Sequence, residues 1–386
     1  MKRTLSILVS LSLLLLMTLP VLAAAETAVQ SAIQEAAGMS WEELLAKAKE
    51  EIGSNELHIY GTTSRVNEET FTEKTGIKIV ASNPNDSQIY ELLENETGKG
   101  IYGPDVVLTQ DSFMLVNNAI ANGWLENYVP AEFQPDILES DQYPLVCSYY
   151  TRLFFYNNGG EDMHRFTNVW QFTEPEFKGI EFKNPVDEKT SMNFLISLTS
   201  EKWQQKLAEA YQSYYGKEYA PSGEFANISY EWIYKFLMNC TFISKDSTIA
   251  SDIAGGAPGS AGLFVFSKLR SVDAANISIC AKEGIEGFGG LLYPIYIMIA
   301  SNAKYPYASC LYVNYLMSEE GYQNVFGKDM GSYSANSAIG ISENAISYGD
   351  EPLSYWQECT VVEDPDHIQS VYALAYTQIA QWCASK

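Results

Sequence analysis

Apolar positions along this chain switch between two periods. After residue 40, Leu44, Leu45, Ala48 and Ile52 recur three and four apart, one face of an α-helix. Ser40 and Glu43 stand three apart at its start, the spacing of a capping box, and Gly53 ends it. Leu57-His58-Ile59-Tyr60 then reads as a strand, followed by the polar turn Gly61-Thr62-Thr63-Ser64-Arg65. A helix is predicted over 67–75, with Gly76 as its left-handed terminator, and a strand over 77–80. Strand, loop, helix and strand in that order are the unit of a parallel sheet. The pattern recurs: helix 86–94, strand 104–108, the polar turn Thr109-Gln110-Asp111-Ser112, helix 113–121 ended by Gly123, and an aromatic strand 152–156. Beyond these come a short strand at 180–182 and a helical region that opens at Thr190-Ser191, breaks near Ser200 and stops at Gly216. Helix 231–240 places Trp232, Ile233, Phe236 and Leu237 on one face; strand 262–266, the glycine-rich loop 286–290, the apolar strand 291–300 and helices from Tyr307 complete the series. Such alternation predicts an α/β fold. No solenoid-length repeat and no low-complexity linker divides it, so interwoven domains are expected.

The first residues break the pattern. Met1-Lys2-Arg3-Thr4 is basic, 5–19 is apolar, Pro20 interrupts, and Ala23-Ala24-Ala25 supplies small residues. This predicts a secretory signal peptide over 1–25. Its apolar run is shorter than the ~20 residues that span a bilayer, which weighs against a retained anchor. An alanine-rich leader helix is expected over 26–39. No cysteine adjoins the cleavage site, so no lipoprotein attachment is expected, and the mature chain is placed in the periplasm or outside the cell.

Composition narrows the function classes. A formal charge of -24 over 386 residues argues against a general nucleic-acid binder or a protein of anionic membrane surfaces. Three histidines leave little for triad or histidine-metal chemistry. The six cysteines are far apart, with no CxxC; free thiols or disulfides both remain open, and Cys359 with Cys383 is the first pair to test. Residues 321–329 miss a phosphate-binding P-loop by one residue of spacing and by Asp329 where a hydroxyl would hold magnesium. Asn83 to Glu94 echoes a calcium loop, but Gln88 occupies the glycine position. There is no GxSxG and no HExxH, and His58, His164 and His367 are isolated. No catalytic residue, metal site or cofactor is therefore assigned. The many carboxylates permit a glycosidase-type pair, but nothing in the sequence selects two.

Four stretches, in order, carry a resemblance. Ala46-Lys47-Ala48-Lys49-Glu50 leads into Leu57-His58-Ile59-Tyr60. Phe71-Thr72-Glu73-Lys74-Thr75-Gly76-Ile77-Lys78-Ile79 follows. Trp170 precedes Glu174-Pro175-Glu176-Phe177-Lys178-Gly179-Ile180 and Asn184-Pro185. Tyr293-Pro294-Ile295-Tyr296-Ile297 precedes Met317-Ser318-Glu319-Glu320-Gly321. Together they resemble the extracellular solute-binding proteins of bacterial ABC importers, type 2 fold, in the branch that holds ferric-iron, thiamine, phosphonate and polyamine binders. The resemblance implies a two-lobed α/β fold with hinge-crossing strands and a central ligand cleft. It implies a monomeric, non-enzymatic receptor that captures a small solute and delivers it to a membrane permease. Lobe one is expected over 40–153, lobe two over 154–290, a second crossing and return over 291–345, and a C-terminal helical tail over 346–386. One departure matters: ferric binders carry adjacent tyrosines after a strand, and the similar stretch here is Gly262-Leu263-Phe264-Val265-Phe266-Ser267-Lys268, which cannot ligate iron.

Ligands of open α/β sheets meet the carboxyl ends of strands and the N-termini of helices. Candidate ligand-binding residues are therefore Thr62, Thr63, Ser64 and Arg65; Gln110, Asp111 and Ser112; Thr190, Ser191 and Asn193; and Phe288, Gly289, Gly290 and Tyr293 at the second crossing. Each polar member is equally a residue type that caps helices or ends strands. Arg65 and the helix opening at Thr190-Ser191 favour an anionic or zwitterionic solute, whereas Asp111 could pair an amine. A receptor feeding a sensor and a secreted hydrolase with paired carboxylates are the alternatives.

Overall fold

The computed structural model describes residues 27–61, 68–160, 165–327 and 330–386. The proposed signal peptide and the Thr62–Arg65 loop lie outside them. Among the described residues, twelve strands form one sheet: β1 (Glu56–Gly61), β2 (Lys78–Ser82), β3 (Val106–Thr109), β4 (Leu125–Glu126), β5 (Val146–Asn157), β6 (Ile180–Lys183), β7 (Cys240–Ile243), β8 (Ala261–Val265), β9 (Ile277–Ile279), β10 (Gly290–Ala300), β11 (Ser332–Ser334) and β12 (Val361–Val362). The main order is β2-β1-β3-β10-β5-β8-β6-β7. β1, β2 and β3 are parallel at one end, β6, β7 and β8 at the other, and the long antiparallel pair β5 and β10 joins them.

β5 and β10 are the crossings. The first half of β5 pairs with β10 and β11, and its second half with β8 and β9. β10 begins beside Leu153 and ends against β3 and β4. Every residue of both strands is buried, as strands covered on two faces must be. The side chains of β10 alternate between two cores: Tyr293, Ile295, Ile297 and Ile299 enter one, Leu292, Tyr296 and Met298 the other. The fold is thus two α/β lobes hung on crossing strands.

Local signals set most helix starts. Ser40 and Glu43 close a capping box on Trp41–Ile52, and Asn85 and Gln88 do so on Asp86–Asn95. The region from Thr190 does break at Ser200, giving Lys189–Ser197 and Glu201–Tyr215, and Gly216 takes a φ of 68° at its end.

Several expectations need correction. The 152–156 strand is twelve residues long and starts at Val146, because burial on both faces erases the alternation that would mark it. The 113–121 helix starts at Ser112 and widens to a π-helix over Leu115–Ile120. The 231–240 helix runs Ile228–Asn239 from an Asn227 cap, and Cys240 opens β7. The cysteines, which the sequence leaves open, are all six free thiols, Cys359 and Cys383 included; Cys147, Cys240, Cys280 and Cys310 are buried. The tail's last helix, Pro365–Ala384, packs mainly on Lys189–Ser197 and Ile228–Asn239. Among the described residues no helix is long and apolar enough to cross a membrane.

Candidate ligand-binding site

Two strand ends converge on the edge of β10. β3 runs antiparallel to it and ends with Thr109 opposite Tyr296; β12 runs parallel and ends with Val362 opposite Leu292. Between them stands Pro294, whose only β-partner is Tyr149 on β5 and which has no N–H to leave unpaired at the gap. The chain leaving β3 carries Gln110, Asp111 and Ser112, and the chain leaving β12 carries Glu363. Asn193, on the Lys189–Ser197 helix of the other lobe, comes to the same point. Glu363 Oε1 accepts from Asn193 Nδ2 at 3.0 Å and from the Ser112 hydroxyl. One carboxylate oxygen thereby joins both lobes.

Carboxylates crowd this junction. Asp86 accepts from the Gln110 N–H at 3.0 Å and from the Thr109 hydroxyl at 2.9 Å. The Thr109 hydroxyl also lies 2.8 Å from the phenol of Tyr90, which donates to the Asp111 carbonyl at 3.0 Å. Burial and the nearby Asp111 and Glu188 push Asp86 up to about 7. Burial, with Asp111 and Asp86 as neighbours, pushes Glu363 up to about 8, although Ser112 and Asn193 oppose this. Asp111 is raised by burial too. These groups favour the neutral acid because the site removes water and brings like charges together.

A second group lies beside the first. Arg152, buried on β5, donates Nη1 to Glu188 at 2.9 Å and to the Ser191 hydroxyl at 3.1 Å, and Nη2 to Glu188 at 3.1 Å. Its Nε lies 3.4 Å from Asp246, and Lys183 reaches Glu188 and Asp246, each at 3.4 Å. Burial alone would raise Glu188, but Arg152 and Lys183 beside it override that and hold it well below the usual carboxylate range. Two cations and two anions balance here. The guanidinium lies 5.7 Å from the Tyr293 ring centre and is held by these carboxylates, while its buried Nε makes no hydrogen bond among the described residues.

Placement of the sequence-predicted residues is uneven. Ser112 and Asn193 meet at Glu363 with Asp111 beside Asn193, Gln110 bonds to Asp86, Ser191 bonds to Arg152, Thr190 is buried on the same helix, and Tyr293 lies under Arg152. Thr62, Thr63, Ser64 and Arg65 lie outside the described residues. Phe288 is corrected: it is buried in an aromatic core with Phe154, Phe194, Trp203 and Trp232. Gly289 and Gly290 are closely packed beside it. A Cβ on Gly289 would stand 2.3 Å from that of Ala281, and one on Gly290 2.3 Å from the Arg152 carbonyl, so these glycines admit neighbouring backbone rather than ligand. The helix opening at Thr190-Ser191 is no vacant anion site either, because Glu188 caps it and accepts from the Ser191 N–H at 2.7 Å. Asp111 fills the next helix start in the same way, taking the Met114 N–H at 3.1 Å.

Sequence reading missed Asp86, Arg152, Lys183, Glu188, Asp246 and Glu363. A single arginine inside an aromatic strand was a readable signal for Arg152, since arginine is seldom buried unpaired. Nothing local marks Glu363.

No family model matches the chain, and no curated protein matches it. Solved structures do. Iron-bound HitA from Pseudomonas aeruginosa is 15% identical with a TM-score of 0.61, over 84% of this chain and 98% of that one. The ferric binding protein from Campylobacter jejuni is 15% identical with a TM-score of 0.62, over 85% and 99%. AfuA from Actinobacillus pleuropneumoniae, a periplasmic binding protein solved with fructose-6-phosphate, is 15% identical with a TM-score of 0.60, over 85% and 98%. Phe264 and Phe266 are buried. With β5 and β10 crossing between two α/β lobes and the polar strand ends gathered where those lobes meet, this chain has the two-lobed fold of the type 2 periplasmic binding proteins.

Proposed function

We propose that this protein is the solute-binding component of an ABC importer. It captures a small molecule between its lobes and hands it to a membrane permease. The observation that carries this reading is the Glu363 carboxylate, which bonds at once to Ser112 on one lobe and Asn193 on the other. A solute that replaces or extends such contacts touches both lobes only when they are closed, and that differential contact is what drives hinge closure. The binding set is Gln110, Asp111, Ser112, Thr190, Ser191, Asn193 and Tyr293, joined by the loop Thr62–Arg65 and extended here by Asp86 and Glu363. Lobe one takes in about 40–153 and the return over 291–345, and lobe two about 154–290, with the last helix counted with lobe two. The mature protein works outside the cytoplasm as a monomer, after loss of residues 1–25. A receptor that feeds a sensor would use the same site.

Raised carboxylates at Asp86 and Glu363 are also what a carboxylate-pair hydrolase would show, which keeps that second reading in view. Incubation with bound solute followed by mass spectrometry separates the two. The receptor returns one unaltered solute per chain and compacts in small-angle scattering; steady conversion in proportion to protein concentration makes it a hydrolase.

A further inference from the structure

The acidic junction opens onto a cavity of about 850 Å³ between the lobes, bounded by Val116 and Ile120 on one side, Ser200 to Trp203 on the other, and Tyr296 on the crossing strand. Its charged lining is one-sided: Asp141, Glu201, Glu363, Asp364 and Asp366 against Lys202. Tyr149, Tyr296 and Trp203 add aromatic rings to the same wall.

We propose that the solute carries an ammonium group, seated on Glu363 at the lobe junction with its body in this cavity. The inference rests on the receptor reading and names the chemical class its site would take.

Two buried acceptors at the junction lack a donor. With Glu363 ionised, its Oε2 and Asn193 Oδ1 have no hydrogen-bond partner among the described residues, and their residues are 5% and 1% exposed. An unsatisfied buried acceptor is costly, so a native site that keeps two of them is built for a donor. An ammonium brings three donors and no acceptor, which an anionic solute cannot match. Charge points the same way. Arg152 and Lys183 are spent on Glu188 and Asp246, and Lys189 is the cation that acts on Asp111. Among the described residues none of these cations pairs with Glu363. Both helix starts at the junction, the places where an anion would bind, are filled by the protein's own Glu188 and Asp111. Aromatic lining residues such as Tyr149 and Tyr296 suit a desolvated organic cation.

The test is titration calorimetry on the mature protein. The cationic probes are 1,4-diaminobutane, spermidine and benzyltrimethylammonium; the anionic probes are citrate and fructose 6-phosphate. One of the cations is expected to bind at one per chain, and Glu363→Gln to weaken it roughly tenfold or more. Asp366→Asn, at the cavity wall and outside the inner hydrogen bonds, should weaken it about two- to fivefold through charge alone. Circular dichroism and the thermal midpoint of each ligand-free variant establish that it is folded. Binding of an anion alone would overturn the proposal and leave the receptor reading standing. Cation binding unchanged in Glu363→Gln, or binding by none of the three cations, overturns it as well. Chemical conversion of a bound probe would instead overturn the receptor reading.

Discussion

Phe113 stacks on Tyr372 with ring centres 3.8 Å apart and planes 7° from parallel. Phe113 belongs to the short helix that leaves β3, and Tyr372 to the last helix, which packs mainly on the opposite lobe. Gln369, one turn before Tyr372, donates to Asn117 across the same boundary. The C-terminal helix is therefore fastened to one lobe and latched onto the other beside the candidate site.

Tyr372→Ala should release that latch. A stacked aromatic pair adds about 0.5–1.5 kcal/mol beyond the area it buries. A double-mutant cycle with Phe113→Ala is expected to return a coupling of about 1 kcal/mol, read from urea unfolding. Small-angle scattering of the ligand-free variant should show a larger radius of gyration than the parent. An unchanged radius would mean that β5, β10 and Glu363 hold the lobes without help from this helix.

Arg152→Met should be the most damaging single change near the site. It strips both Glu188 and Asp246 of their buried partner, and loss of one member of such a pair costs about 3–5 kcal/mol. The drop is to be measured by urea denaturation. Glu188→Gln should cost less, because Asp246 still faces Arg152 and the amide can still accept the Ser191 N–H.

Stability of the ligand-free protein should fall as pH rises through the neutral range. Glu363 is raised from 4.5 to about 8 and Asp86 from 3.8 to about 7. Between the unfolded and folded values the native state holds protons that the unfolded chain has released. The contribution is therefore complete below the unfolded values and is lost as pH climbs through about 7 and 8. Glu363→Gln should flatten the decline, followed by thermal melts across the range. Glu188 acts oppositely. Its lowered value stabilises the fold above the ordinary carboxyl range, and that contribution is lost as acid finally protonates it.

Gly290→Ala should act on folding. Its new Cβ would meet the Arg152 carbonyl at 2.3 Å, at a φ of 154°, where β10 lies against β5. Overpacking of this kind costs about 1–3 kcal/mol, visible as a lower unfolding midpoint. Solute affinity per folded molecule should be unchanged, since the glycine faces backbone.

How far the chain could be read without its structure follows from the range of the forces involved. Helix starts were legible because a cap acts within four residues: Ser40 with Glu43 begins Trp41–Ile52 in the structure as it does on paper. The α/β alternation and the crossing at β10 were legible because a strand's apolar run is local. The loops after β3 and before Asn193 could be named as site loops, since the carboxyl ends of strands are where backbone leaves the sheet. What they hold was decided elsewhere. Glu363 sits 251 residues from Ser112 and 170 from Asn193, and its strand β12 exists only because β10 is there to pair with it. Glu188 and Asp111 turn two open helix starts into filled ones, and Arg152 is neutralised by partners from two separate loops. Charge balance at the junction, and with it the sign of ligand it suits, depends on which distant groups come within a few ångströms. Sequence determines the segments and their order; only their packing sets those distances.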